Sequence, residues 1–190
     1  TYSPRIILDH SLYAYNREAR RSLEDILLSF EKTDRMDLDS IRITLPLELN
    51  KKELHDLIDS SIDMEQEFIL YGRIPLMVSA QCVSKNTKAC EKKSGYLKMT
   101  DRYQKPFFTR RHCRHCYNTI WNGVPLSFHG MKKEILRLQP GSLRLHFTVE
   151  KEEEMDRIIR LFYEEWKRDD VSSVKIQGEF TRGHYKRGVE

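Results

Sequence analysis

The 190-residue chain has no run of about 18 apolar residues, so no transmembrane helix is expected. No basic-then-apolar leader opens it, and a cytoplasmic setting is the expectation. Internal repeats and low-complexity segments are absent. Neither Gly-x-Ser-x-Gly nor His-Glu-x-x-His occurs, so the sequence encodes neither a serine-hydrolase elbow nor a zinc-peptidase helix. A strong excess of one charge is missing too. Lys and Arg number 33 against 29 Asp and Glu, a net +4 that is too mild to demand a nucleic-acid partner. The first residue is Thr rather than Met, so a processed or partial chain is expected. Cysteine is scarce: there are four, all between positions 82 and 116.

The rest is ordinary for one globular domain with a wet surface: 39% hydrophobic and 33% charged residues. What stands out is the stretch from Glu67 to Leu126, which holds the cysteines as Cys82-x7-Cys90, a gap of 22 residues, then Cys113-x2-Cys116. Two thiolates two residues apart can turn onto one ion from a tight loop, and a second pair would complete a four-cysteine site. Such a site suits zinc or an iron–sulfur cluster. Without a secretory leader, ligation is favoured over disulfides. Residues 80–118 therefore read as a metal-binding insertion within a single α/β domain spanning 1–190. His112 and His115 alternate with the second cysteine pair; they are either substitute ligands or surface residues of a basic loop.

Along the chain, residues 5–9 read as a short strand. Arg17–Phe30 reads as a helix with Leu23, Ile26, Leu27 and Phe30 on one face, and Ile41–Leu45 as a strand. Asn50 and Glu53 form a capping-box pattern before a helix faced by Leu54, Leu57, Ile58 and Ile62. Glu67–Tyr71 is a strand that Gly72 lets exit sharply. Residues 83–111 are polar, lysine-rich and weakly periodic, a long loop that metal ligation would justify. Short apolar pieces flank Asn122-Gly123. Met131–Leu138 reads as a helix stopped at Pro140-Gly141, and Ser142–Val149 as a strand. A helix striped by Met155, Ile158, Ile159, Phe162 and Trp166 then runs to Lys167, and Val171–Ile176 is a last strand. This alternation predicts a largely parallel α/β sheet, either about half of an eight-fold barrel or a small open sheet.

Lys105, Phe107, Phe108, Arg110, Arg111 and Arg114 interleave cations with aromatics. Arg182, His184, Tyr185, Lys186 and Arg187 do so again in the tail. Both patterns suit RNA, phosphates meeting cations and unpaired bases stacking on rings. The alternatives are a solvated loop over packed phenylalanines and a mobile C-terminus. Ser11, Ser79 and His184 could be imagined as a triad, but their spacing gives no support. Asp9 and Glu48 end strands, and Tyr71 and Arg73 follow one, so these four are the candidates for acid–base or substrate contact. Capping or ion pairing is the competing role.

Several of these segments together resemble the collagenase-like peptidase family U-32. They are Glu67-x4-Gly72, Pro75-Leu76-Met77, Cys82, Cys90, Asp101-Arg102, Cys113-x2-Cys116 and the closing Thr181-Arg-Gly-His-Tyr-Lys-Arg-Gly-Val-Glu190. Asp9-x-Ser11-Leu12 with Asn16, and Leu45-Pro-Leu-Glu48-Leu49, look like the strands that precede the cysteine region in that family. The resemblance covers nearly the whole chain. It implies the C-terminal part of a longer bacterial protein, a (β/α) TIM-like barrel core with a long cysteine-bearing loop. It also implies a [4Fe–4S] cluster on Cys82, Cys90, Cys113 and Cys116, with zinc the alternative. The branch it looks closest to hydroxylates bases in ribosomal RNA. Others of the family were named as collagen-degrading peptidases, and a non-catalytic, zinc-stabilised RNA-binding module is a third reading. The expected partners are RNA and the remaining barrel segment of the parent protein, and no membrane.

Overall fold

The computed structural model describes residues 6–31, 41–58, 64–86, 90–167 and 178–187, with only the backbone at Phe30 and Glu31. The first part alternates as expected. β1 (Ile6–Leu8) leads through a single 3-10 turn (His10–Leu12) to α1 (Arg17–Glu31). β2 (Ile41–Thr44) leads to α2 (Lys51–Ile58), and β3 (Glu65–Gly72) follows. The three strands are parallel neighbours, with Ile6 opposite Ile41 and Arg42 opposite Glu65. Asn16 Oδ1 accepts from Ala19 N at 2.8 Å and starts α1. The capping box at α2 forms as its spacing suggests: Glu53 N donates to Asn50 Oδ1 at 3.0 Å, and Asn50 N donates back to Glu53 Oε2 at 2.8 Å.

After β3 the chain changes architecture. β4 (Pro75–Ser79), the short α3 (Val83–Asn86), β5 (Gly95–Thr100), β6 (Pro106–His112) and β7 (Tyr117–Trp121) build a separate four-stranded sheet in the order β4-β7-β6-β5, antiparallel throughout. The chain then returns to the first sheet. β8 (Leu126–Ser127) pairs antiparallel with the end of β3, and β9 (Ser142–His146), after α4 (Lys132–Leu136), pairs parallel with β3. α5 (Glu152–Lys167) closes this part.

Two expectations are corrected here. The described residues are not arranged as a TIM-like barrel: they build a mixed α/β fold of one five-stranded and one four-stranded sheet, and neither closes. The physical reason lies between β3 and β9. A parallel return needs a crossover of a dozen or more residues, whereas β5, β6 and β7 are joined through residues 101–105 and 113–116, lengths that force hairpins. The long polar loop at 83–111 is also corrected, since most of it is α3, β5 and β6. In β5 the half-buried Leu97 and Met99 alternate with exposed Tyr96, Lys98 and Thr100, a contrast too low to read as a strand. The strand expected at 171–176 lies outside the described residues, as does Ile62.

The main core joins Leu45, Leu54, Phe68 and Leu70 to Ile135 and Leu138 of the α4 segment and to Ile158, Leu161 and Phe162 of α5. The α5 stripe is rotated from the expected one. Ile159 is 48% exposed, while Leu161 is buried. Glu165 is buried as well, and its Oε1 accepts from Gly130 N at 2.9 Å and Lys132 N at 3.3 Å at the start of α4. A smaller core of Ala14, Leu27, Ile41, Ile43 and Met64 seats α1 on β1 and β2; Ile26, expected in it, is exposed. No helix among the described residues is long and apolar enough to cross a membrane.

Candidate functional site

The four cysteines come from three places and line one cavity of about 500 Å3, shared with Lys85, Lys92, Arg111 and Tyr117. Cys82 ends the link from β4 and opens α3, where Lys85 N and Asn86 N both donate to its carbonyl at 3.1 Å. Cys90 lies on the approach to β5. Cys113 and Cys116 sit at the tip of the β6–β7 hairpin, where His115 N donates to His112 O at 3.0 Å. Cys113 N is held by Ser94 Oγ at 3.1 Å. Cys116 adopts φ of 53°, a left-handed conformation that costs a side-chain-bearing residue on the order of 1 kcal/mol or more.

All four thiols are free; Cys82 is buried, Cys113 half-buried, and Cys90 and Cys116 exposed. Among the described residues, no three His, Cys, Asp or Glu side chains stand close enough together to grip a single metal ion. Neither His112 nor His115 lines the cavity. His112 stacks on Tyr117 at 4.2 Å and its Nε2 lies 3.2 Å from Thr119 Oγ1. Burial, with Arg110 and His115 nearby, holds the His112 imidazole below its usual pKa. Arg111 Nη1 donates to Ser84 Oγ at 2.9 Å, while its Nε is buried without a partner.

The other expected contacts divide clearly. On the opposite face of β6, the exposed Arg110 lies 5.7 Å from the ring of Tyr96, itself 51% exposed, with Lys98 next along that face. Arg114 is exposed at the hairpin tip, and Lys105 pairs with Glu179 at 3.2 Å. Phe108 is half-buried beneath Arg73. The tail is docked: Thr181 bridges Leu126, and Tyr185 is 3% exposed in the main core. Arg182 donates to the carbonyls of Ser127 and His129. Lys186 and Arg187 remain exposed, and His184 is engaged by a neighbour.

Asp9 stands at the C-terminal end of the parallel strands, lining a 190 Å3 pocket with His10, Ser11, Arg73, Trp121 and His146. Clefts form at such strand ends in open α/β sheets. Asp9 meets His10 Nδ1 at 3.2 Å, Ser11 Oγ at 3.0 Å and Arg144 Nη1 at 2.7 Å. The His10 bond first, then Arg144, holds its carboxyl far below the usual range despite burial. Arg144 Nη2 continues to Glu67 at 2.6 Å and Thr44 at 3.2 Å. Tyr71 and Arg73 both bond Glu150, at 3.3 and 3.0 Å. Glu48 keeps a buried Oε2 without a hydrogen bond.

Sequence reasoning passed over Arg144, His146, Lys85 and Lys92. Arg144 occupies the polar slot of the Leu143-Arg144-Leu145 alternation. That slot is solvent-facing in a half-covered sheet, but buried where helices cover both faces. Comparison with protein-family models, curated proteins and solved structures finds no match to this chain.

Proposed function

We propose that this chain is the metal–thiolate portion of a cytoplasmic RNA-modifying enzyme. Cys82, Cys90, Cys113 and Cys116 hold a [4Fe–4S] cluster, and the parent protein hydroxylates an RNA base. One observation carries the reading: four thiols from three separate segments line a single cavity with three cationic side chains. The donor set fits a soft metal centre, and the cations fit its negative charge. A lone zinc ion, with Zn–S bonds of about 2.3 Å, would draw the sulfurs to about 4 Å from one another. The same four thiols would also hold zinc, which is the alternative; the cluster is placed first on the U-32 resemblance. Such a cluster, when bound, supplies one-electron transfer.

The RNA part rests on the exposed Tyr96, Lys98 and Arg110 face, where a ring and cations stand together. The hydroxylation step and the parent protein's remaining segment as a partner rest on the U-32 resemblance. Peptide hydrolysis draws no comparable support. Ser11 Oγ is bonded to Asp9, and Ser79 Oγ accepts from Gln81 N at 3.2 Å within a turn.

The test is anaerobic purification with iron, sulfide and zinc analysis and a visible spectrum. About four irons and four sulfides per chain, lost on changing any one cysteine, is the expected result. One zinc without sulfide would replace the cluster by a structural knot, and a metal-free protein would overturn the reading.

A further inference from the structure

Arg111 occupies a position that neither the hairpin nor the core explains. Its neighbour Arg110 points to the exposed face of β6, over Tyr96. Arg111, on the other face, turns inward to the thiol cavity. Its Nη1 is anchored by Ser84 Oγ at 2.9 Å, and Ser84 belongs to the single turn of helix that begins beside Cys82. Arg111 itself lies two residues before Cys113. The guanidinium therefore ties the segment carrying one cysteine to the hairpin carrying two others.

One nitrogen of that guanidinium, the Nε, is both buried and unpartnered. A buried N–H of a cation with nothing to donate to costs roughly 1–3 kcal/mol or more, a cost that an acceptor in the cavity would remove. The cavity it lines with four cysteines offers sulfur. A thiolate, or a sulfide bridging metals, accepts N–H donors and carries the negative charge that a guanidinium favours. Lys85 and Lys92 add charge of the same sign from the rim, but both are exposed and on flexible stems. Among the described cations of the cavity, Arg111 is the one anchored by a side-chain hydrogen bond.

We infer that Arg111, held by Ser84, is the positioning residue of the metal centre: it donates to the thiolate sulfur and sets the electrostatics of the bound group. This rests on the metal–thiolate reading above. Hydrogen bonds to sulfur and nearby positive charge both favour the more negative, reduced form of a cluster, so they raise its reduction potential. Removing Arg111 lowers the potential. A zinc centre has no such equilibrium, but it loses affinity for the same electrostatic reason.

The experiment compares the 190-residue chain with its Arg111→Gln, Arg111→Lys, Ser84→Ala and Arg110→Gln variants, each reconstituted anaerobically. Metal and sulfide content are measured first, then the midpoint potential by optical titration against mediators. For Arg111→Gln the one-electron equilibrium should shift at least tenfold toward the oxidised cluster, equivalent to 59 mV. Ser84→Ala should shift it the same way by less, and Arg111→Lys should fall between the wild type and Arg111→Gln. Arg110→Gln removes an equal charge one residue away on the opposite face and should leave the potential within twofold.

Equal potentials in the wild type and Arg111→Gln at equal cluster content would overturn the inference while leaving the metal–thiolate reading intact. So would an Arg110→Gln shift as large as that of Arg111→Gln. A wild-type chain that takes up neither iron nor zinc would remove the reading itself, and the inference with it. If zinc alone is bound, competition with a chelator replaces the potential: at least tenfold weaker binding in Arg111→Gln supports the inference, and unchanged affinity overturns it. Should Arg111→Gln fail to fold, the Arg111→Lys and Ser84→Ala variants carry the same test.

Discussion

Arg73 Nε lies 3.0 Å from Glu150 Oε1 with the two side chains 8% and 0% exposed, an ion pair sealed inside the protein. Arg73 also donates to the carbonyls of Asn122 and Gly123 and lies over the Phe108 ring, so it fastens the end of β3 to β6 and the β7–β8 link. Glu150 accepts from Thr148 N and Val149 N as well, which fixes the turn before α5. Glu150→Ala leaves Arg73 buried without its counter-charge, and breaking one side of such a pair costs about 3–5 kcal/mol. Urea unfolding should show a loss of that size. A midpoint equal to the wild type would mean that the pair does not bind the two sheets together.

Gly123 sits at the same junction. A Cβ built there would overlap the carbonyl oxygen of Pro106, which is backbone and cannot swing aside. Gly123→Ala must part β6 from the β7–β8 link and disturb the carbonyl that Arg73 uses. The expected loss is about 2 kcal/mol or more, in the range of overpacked interiors. Thermal unfolding tests it, with Gly130→Ala as a contrast: there the space is open and only the positive φ of 74° is strained.

What could be read from the sequence follows from how strongly each segment repeats. α1, α2, α5 and the strands β1 to β3 carry clear periods, and Asn50 with Glu53 encodes a helix start in four letters. That the four cysteines share one region was legible in their clustering between positions 82 and 116. The second sheet was not legible, because β5 and β6 cover one face thinly and fill the other with lysine, threonine and arginine. Arg144 failed to register, and Arg111 registered as an RNA contact rather than as a cavity residue, for a related reason. Each sits on the polar side of a strand, and only the pairing of distant segments turns that side toward Asp9 and Glu67 or toward the thiols.

Arg20, 1% exposed on α1, shows a different kind of burial. It makes a single long hydrogen bond, 3.5 Å to Gln66, and its Nε and Nη2 are buried without partners. Burial alone pushes the guanidinium down to about 10. A charge so poorly compensated contributes little that an apolar side chain of similar length could not. Arg20→Met should leave stability unchanged or raise it by about 1–3 kcal/mol, as when buried ionic groups are exchanged for packed apolar ones. A loss of more than about 1 kcal/mol would show that the arginine has a role beyond filling space.

His129 gives the fold an acid dependence. It is 8% exposed, its Nδ1 is 3.0 Å from Ser127 Oγ, and burial with the Arg182 charge nearby pushes it down to about 4 from 6.5. Above pH 6.5 both the folded and unfolded forms are neutral there. Between pH 6.5 and 4 the unfolded chain takes up the proton and the folded one does not, so stability falls as pH falls. The slope approaches about 1.4 kcal/mol per pH unit. His146 is shifted in the same direction and adds to it. Urea midpoints from pH 7.5 to 4.5 should drop steadily, and His129→Gln should flatten part of the curve. A parallel slope in that variant would assign the dependence elsewhere.

RNA binding can be tested without touching the thiol cavity. Arg110 and Lys98 are exposed, whereas Arg111 belongs to the cavity and Arg114 lies between two of its cysteines, so the variant to use is Arg110→Glu with Lys98→Glu. If these cations meet phosphates, affinity for a single-stranded RNA should fall for every sequence alike. The slope of log affinity against log salt should shrink by about 0.7 for each phosphate no longer neutralised. Tyr96→Ala should act differently. It removes a stacking face worth about 1–3 kcal/mol per base and leaves the salt slope unchanged. Opposite signatures from the two variants would place both phosphate and base on this face of the hairpin. Unchanged affinity in both, across the salt series, would move RNA off it altogether.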